Sequence, residues 1–342
     1  MRVAAVIASV GLLVSCQAAT PSPTPVGASP SPAPSASQTE RAATAPPKPT
    51  LTGWGEVRPA MPTARSELAA VNYAKVLFVI GGSGGPKVVE RFPPAVGAWL
   101  RDPDLPIAVD HPMAAGVLGG RRPGVFVMGG YVNGVATDRL FYYRPVAEGG
   151  KWEELAPMPF PRAAGGAVAI GRRIYVVGGA VNATTLSNSL YVYDVETDKW
   201  SVGPDIPTPR DHLAVAAVGS VVCAVGGRRL SMSRNLGALE CYDPGTNQWR
   251  KYSDMPTPRG GLGAAAVGNK LVAVGGERPE GTFREVEIFD FASGAWTRGQ
   301  DLVHPRHGLG VVAVDRVIYA IGGATRPGGG SETGTVEYWN LP

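Results

Sequence analysis

The sequence predicts an all-β, six-bladed β-propeller with four antiparallel strands per blade, and three observations predict it. The first is composition. The 342 residues include 46 Gly and 32 Pro, a density that disfavours long helices, because each costs about 1 or 3 kcal/mol in a helix interior. The second is a repeat. Gly pairs fall at Gly81-Gly82, Gly129-Gly130, Gly178-Gly179, Gly226-Gly227, Gly275-Gly276 and Gly322-Gly323, with spacings of 48, 49, 48, 49 and 47. The third is what surrounds each pair. A run of small residues and an apolar run such as VLFVI or IYVV precede it. A polar stretch, a run such as LYVYD or VEIFD, and then a Trp follow it. Four short strands every 47 to 49 residues make a propeller blade.

The first fifty residues stand apart from this repeat. Met1 to Ser15 hold one Arg and then about a dozen apolar residues, too few for a membrane span of roughly 20 and arranged as an export signal. Leu13-Val14-Ser15-Cys16 resembles the lipobox of bacterial lipoproteins, which implies cleavage before Cys16 and lipidation of its thiol. Residues 16–50 then read as the lipidated Cys followed by a disordered tether. Gln17 to Thr50 contain nine Pro among Ser, Ala and Thr, and such chains favour the extended polyproline form. The expectation is an exported protein held in the cell envelope or at the cell surface by a lipid alone, with one domain over 51–342.

Within each repeat the residue types fit their places. The first strand crowds the axis, so Ala and Gly dominate runs such as GLGAAAVG. The Gly pair permits positive φ where the second strand ends. The Trp (Trp99, Trp152, Trp200, Trp249 and Trp296) supplies apolar area between blades. The last repeat ends at its third strand, Val336-Glu337-Tyr338-Trp339, while Trp54 precedes the first repeat without a blade of its own. The strand around Trp54 is therefore expected to complete the sixth blade and remove an open edge. Unit two departs from the pattern, with Met113 where the 16-residue offset to Gly129 predicts Arg.

The Gly pair, aromatic and Trp at these offsets, six times over, resemble the kelch repeat family across about residues 52 to 342. The resemblance implies a propeller of kelch type whose ligands often bind at the mouth of the central channel. The loops preceding first strands and following second strands share that face. They bring Arg228, Arg229, Arg234, Arg278, Arg284 and Arg326, with Lys87, against Glu277 and Glu280. These six arginines are the candidate ligand-binding residues, suited to a carboxylate.

Arg65, Arg162, Arg210, Arg259 and Arg306 each lie 16 residues before a Gly pair. Recurrence in five units points to one structural task, the satisfaction of loop carbonyls between blades. His111, His212, His304 and His307 lie near the same turns. Imidazoles suit zinc or copper, but the span across a channel mouth is expected to be too long, so no metal site is expected. Glu67, equivalent in position to His212, could act with it as acid and base if the protein is an enzyme. Cys223 and Cys241 lie on neighbouring strands, as a disulfide or as two buried thiols.

Three Cys exclude a disulfide framework and a Cys-based zinc site. A net charge of +4, from 32 basic and 28 acidic residues, gives no field for nucleic acid, and no nucleic-acid partner is expected. No phosphate-cradling loop or other cofactor motif is present. The leading reading is a non-catalytic, lipid-anchored binding module for a protein, peptide or anionic glycan. A carbohydrate-active enzyme resembling N-acetylneuraminate epimerase is the alternative, and a surface scaffold using the outer blade surfaces a third. Galactose oxidases of kelch type need a copper site with a crosslinked Cys and Tyr, for which no constellation is evident.

Overall fold

The computed structural model describes residues 53–146 and 149–342; the export signal, Cys16 and the tether lie outside them. Six four-stranded antiparallel sheets form six blades. Their inner strands are Ala69–Tyr73, Met113–Val117, Gly166–Ile170, Ala214–Val218, Gly263–Val267 and Gly310–Val314. Each of these strands packs beside the next, and the sixth packs beside the first, which closes the ring. Small side chains dominate them, as axial crowding requires, and their residues line a channel of about 250 Å³. Among the described residues the only helical element is a single 3-10 turn, Met232–Arg234.

The apolar core is divided into six clusters, one between each pair of adjacent blades. The tryptophans explain this division. In every blade the Trp ring lies against an aromatic of the third strand, as in Trp200–Tyr193 at 5.0 Å and Trp296–Phe289 at 5.2 Å. Its indole N–H reaches a carbonyl of the preceding blade: Trp99 to Pro59, Trp152 to Pro103, Trp200 to Ala156, Trp249 to Pro204, Trp296 to Ser253 and Trp54 to Gln300. One residue type thus packs the blade and satisfies its polar atom across the seam.

The N-terminal strand closes the ring as the orphan Trp54 predicts. Gly55 pairs with Tyr338 and Glu56 with Glu337, and the Val57 amide donates to the Val336 carbonyl at 2.8 Å. Trp54 packs on Trp339 at 5.8 Å.

Two expectations change. The residue standing in the Arg position of blade two is Val109, not Met113. The Gly82 amide donates to the Val109 carbonyl as the Gly130 amide does to that of Arg162. The hairpin between Met113–Val117 and Gly124–Met128 holds residues 118–123, where blade one turns on Ala74-Lys75 alone, so counting back from the Gly pair lands inside a strand. The five arginines also work differently from the expectation. Their side chains are fully buried and serve their own blades. Arg65 donates to Val88 (2.8 Å) and Gly81 (3.2 Å) carbonyls and to Glu90 of the third strand (2.8 Å). Arg210, Arg259 and Arg306 pair with Glu240, Glu287 and Glu337 in the same way. Arg162 instead covers the ring of Tyr191, its guanidinium carbon 3.9 Å from the centroid. The tie between blades is made by the arginine's backbone carbonyl, which accepts from the second Gly of the preceding blade.

Cys223 and Cys241 stand directly opposite each other on adjacent strands, with a Cα separation of 4.0 Å, and form a disulfide. Of the alternatives left open by the sequence, the bonded pair is the one present.

Candidate functional site at the channel mouth

The turn before each inner strand places one residue at the channel mouth: Glu67, His111, Ala164, His212, Gly261 and Gly308. All six have φ between 48° and 65°. Their backbones form a collar. His111 N donates to Glu67 O (3.1 Å), Ala164 N to His111 O (3.3 Å), His212 N to Ala164 O (2.7 Å), Gly261 N to His212 O (2.9 Å) and Gly308 N to Gly261 O (2.8 Å). Left-handed backbone at a non-glycine residue costs on the order of 1–3 kcal/mol, and four of the six positions carry a side chain. Glycine is needed at 308, where a Cβ would lie 2.7 Å from the Glu67 carboxyl carbon.

The narrow collar brings together residues from five blades. His111 Nε2 lies 3.1 Å from His212 Nε2 and 3.4 Å from Glu67 Oε2. His212 Nδ1 lies 2.6 Å from Asp211 Oδ2, an acceptor, so the Nδ1 proton is fixed there and Nε2 carries the lone pair. Arg228 donates to that Nε2 at 2.8 Å while its NH1 pairs with Glu277. His307 Nδ1 approaches Glu67 Oε1 (3.1 Å) and Glu277 Oε2 (3.4 Å), and its Nε2 lies 2.9 Å from the Arg326 carbonyl. Asp110 Oδ1 lies 3.2 Å from His111 Nδ1. Glu67, His111 and His212 line a cavity of about 90 Å³. A larger one of about 440 Å³ lies on the same face beside Asp110 and Tyr131.

Burial and neighbours set the charges. Burial raises the Glu67 pKa, but His111, with His307 and His212, outweighs it and holds the carboxyl well below the usual carboxylate range. Burial lowers the His111 pKa, and Glu67 and Asp110 more than compensate, so it moves up. His307 also moves up: burial opposes this, but its contact with Glu67 prevails. His212 moves down, through burial and the Arg228 charge, despite its bond to Asp211.

Of the residues the sequence singled out, Glu67 and His212 meet at the mouth with His111 between them. Arg228 enters the cluster, where its charge is already answered by Glu277 and Asp211. Arg229, Arg234, Arg278, Arg284 and Arg326 are exposed on the surrounding loops. Arg278 rests over the Phe283 ring at 5.0 Å, and Arg326 gives its carbonyl to His307. The expectation that imidazoles could not span the mouth fails for three of the four. His304 alone stays away, half exposed and 3.6 Å from Glu337. Asp110, Asp211 and Tyr131 were missed. The two acids immediately precede His111 and His212, and that Asp-His pairing, present twice, was the available signal.

Comparison with known proteins agrees with the fold. The model of the KLHDC2/KLHL20/DRC7 Kelch-repeats domain matches residues 114–323, and that of the Kelch motif matches residues 305–342. Kelch-like protein 35 of Mus musculus is 31% identical over 156 residues, covering 44% of this chain and 25% of its own. Kelch-like protein terF of Aspergillus terreus is 29% identical over 187 residues, covering 48% and 39%. Beta-scruin of Limulus polyphemus is 28% identical over 182 residues, covering 49% and 19%. The chain thus spans well under half the length of these relatives. The solved structure of YjhT superposes with a TM-score of 0.70 at 17% identity, covering 82% of this chain and 95% of that one, a likeness of fold. With a family model matching more than half its length and six blades in register, the chain belongs to the kelch-repeat family.

Proposed function

We propose that the protein is a non-catalytic binding module. It takes an anionic protein, peptide or glycan ligand on the mouth face, and the lipid on Cys16 holds it in the cell envelope. The observation that carries this reading is the loop set after the second strands of blades four to six. Those loops present Arg229, Arg234, Arg278, Arg284 and Arg326 to solvent on three consecutive blades. Arg228, already paired, serves to hold the loop. An exposed guanidinium fork recognises a carboxylate at a modest desolvation cost. The test is a binding screen of the full chain against sialic acids, acidic glycans and envelope extracts. Replacing Arg229 and Arg278 together with Ala is expected to weaken the ligand found at least tenfold, about 1.4 kcal/mol. Affinity unchanged by these substitutions would move the site off this face. Replacing Cys16 with Ser is expected to release the protein from the membrane fraction; unchanged fractionation and N-terminal mass would remove the anchor.

One observation favours the second reading, a sugar epimerase resembling N-acetylneuraminate epimerase. The carboxylate of Glu67 and the imidazoles of His111 and His212 share one small cavity. That reading requires Glu67→Gln to stop anomer interconversion, followed by proton NMR, while leaving sugar binding measurable.

A further inference from the structure

Three features of the mouth cluster go beyond what ligand capture by loop arginines requires. Two imidazole nitrogens on different blades, His111 Nε2 and His212 Nε2, face each other at 3.1 Å. With the proton of His212 fixed on Nδ1 by Asp211, its Nε2 carries the lone pair, which lies between Arg228 at 2.8 Å and His111 at 3.1 Å. Glu67 Oε2 lies 3.4 Å from His111 Nε2, and the donor atoms of all three residues lie within 4.8 Å of one another.

We propose that Glu67, His111 and His212 form a binding site for one divalent transition-metal ion of the zinc class. Two of the three donor–donor edges fit a coordination polyhedron. Bonds of about 2.0–2.1 Å in a tetrahedron set donor atoms about 3.3 Å apart, and the edges of 3.1 and 3.4 Å to His111 bracket that value. The third, between His212 and Glu67, is wider but within 4.8 Å, and an ion would draw those two side chains together. Two imidazoles with one carboxylate make a donor set that suits zinc, with one position left for water or a ligand oxygen in the cavity of about 90 Å³. One ligand is held from behind by a hydrogen bond, as metal ligands are, and the other two have polar groups close behind them. Asp211 holds His212 through Nδ1. His307, 1% exposed and tied to the Arg326 carbonyl, approaches Glu67 Oε1 and leaves Oε2 for the ion. Asp110 lies 3.2 Å from His111 Nδ1. Glu67, His111 and His212 keep 14%, 17% and 9% of their side chains exposed, which gives an ion a way in. Arg228 is the competitor: its guanidinium stands 2.8 Å from His212 Nε2. Ion entry displaces that one contact, and Arg228 retains Glu277 and Asp211. The site is independent of the exposed arginines that carry the ligand reading.

The test uses the full chain, stripped with a chelator and titrated with Zn²⁺ by calorimetry and with Co²⁺ by visible absorption. One equivalent is expected to bind, with the intense d–d bands of four-coordinate Co²⁺ and a higher Tm in Zn²⁺ than in chelator. His111→Ala, His212→Ala and Glu67→Gln are each expected to weaken Zn²⁺ at least tenfold. Asp211→Asn, which removes the carboxylate that holds His212 through Nδ1 but no ligand atom, is expected to weaken it 10–100-fold. His304→Ala, outside the cluster, is expected to match the unaltered protein. Should a ligand variant fail to fold, the unaltered chain still decides. Absence of stoichiometric Zn²⁺ binding, or Co²⁺ bands of six-coordinate type, overturns the assignment. So does equal affinity in the folded variants.

Discussion

Buried arginines set the energetics of five of the six blades at the scale of single residues. Arg210 is fully buried and pairs with Glu240, itself 1% exposed, while also donating to the Ala224 carbonyl at 3.0 Å. Removing one partner of such a pair leaves a charge without an answer. Arg210→Ala is therefore expected to cost about 3–5 kcal/mol, read as a lower urea midpoint. Arg162 faces the Tyr191 ring instead of a carboxylate, so Arg162→Met leaves no orphaned anion and is expected to cost distinctly less. Equal losses at the two positions would refute the assignment of the cost to the stranded carboxylate. The arginines were legible because they recur at one offset. Their glutamates were not. Glu90, Glu240, Glu287 and Glu337 are each the second residue of a third strand, where an acid in an alternating strand reads as solvent-facing. The mouth histidines were legible as residues and misjudged as distances. The collar of backbone hydrogen bonds brings the blades closer at the mouth than a hollow ring suggests.

Register and length decide what the elements do. Cys223 and Cys241 could not be paired from sequence, since a shift of one residue would send their side chains to opposite faces. In the folded register they oppose each other within the core between blades four and five, both buried. A crosslink closing a loop of 18 residues contributes about 3 kcal/mol by the loop-entropy model. The double variant Cys223→Ala with Cys241→Ala is expected to lose about 2–4 kcal/mol in chemical denaturation, and no loss would show the bond to be dispensable. The blade-two hairpin over 118–123 shows how length misleads. Four extra residues leave the strands intact yet shift every offset counted across them, which is why Met113 was read in a place that belongs to Val109.

Closure governs the whole molecule. Blade six borrows Gly55–Glu56 from the other end of the repeat array, so the two ends of the array stabilise one sheet. Removing residues 51–58 is expected to expose the edge of Val336–Asn340 and lower Tm markedly; a truncated protein that melts with the intact one would reject the clasp. This closure, the blade count and the location of the mouth were legible because each repeat carries its own copy of the signal. The ligand is not repeated and so was not legible. What the propeller offers a partner is a polar, internally paired centre ringed by exposed arginines on blades four to six. The most direct measurement of that account is the affinity of the full chain for a panel of acidic glycans and peptides at low and high salt, beside the Arg229→Ala and Arg278→Ala double variant. The account predicts that an anionic class binds, that salt weakens it, and that the double variant weakens it at least tenfold. Binding confined to neutral ligands, or indifferent to both salt and the two arginines, would contradict it.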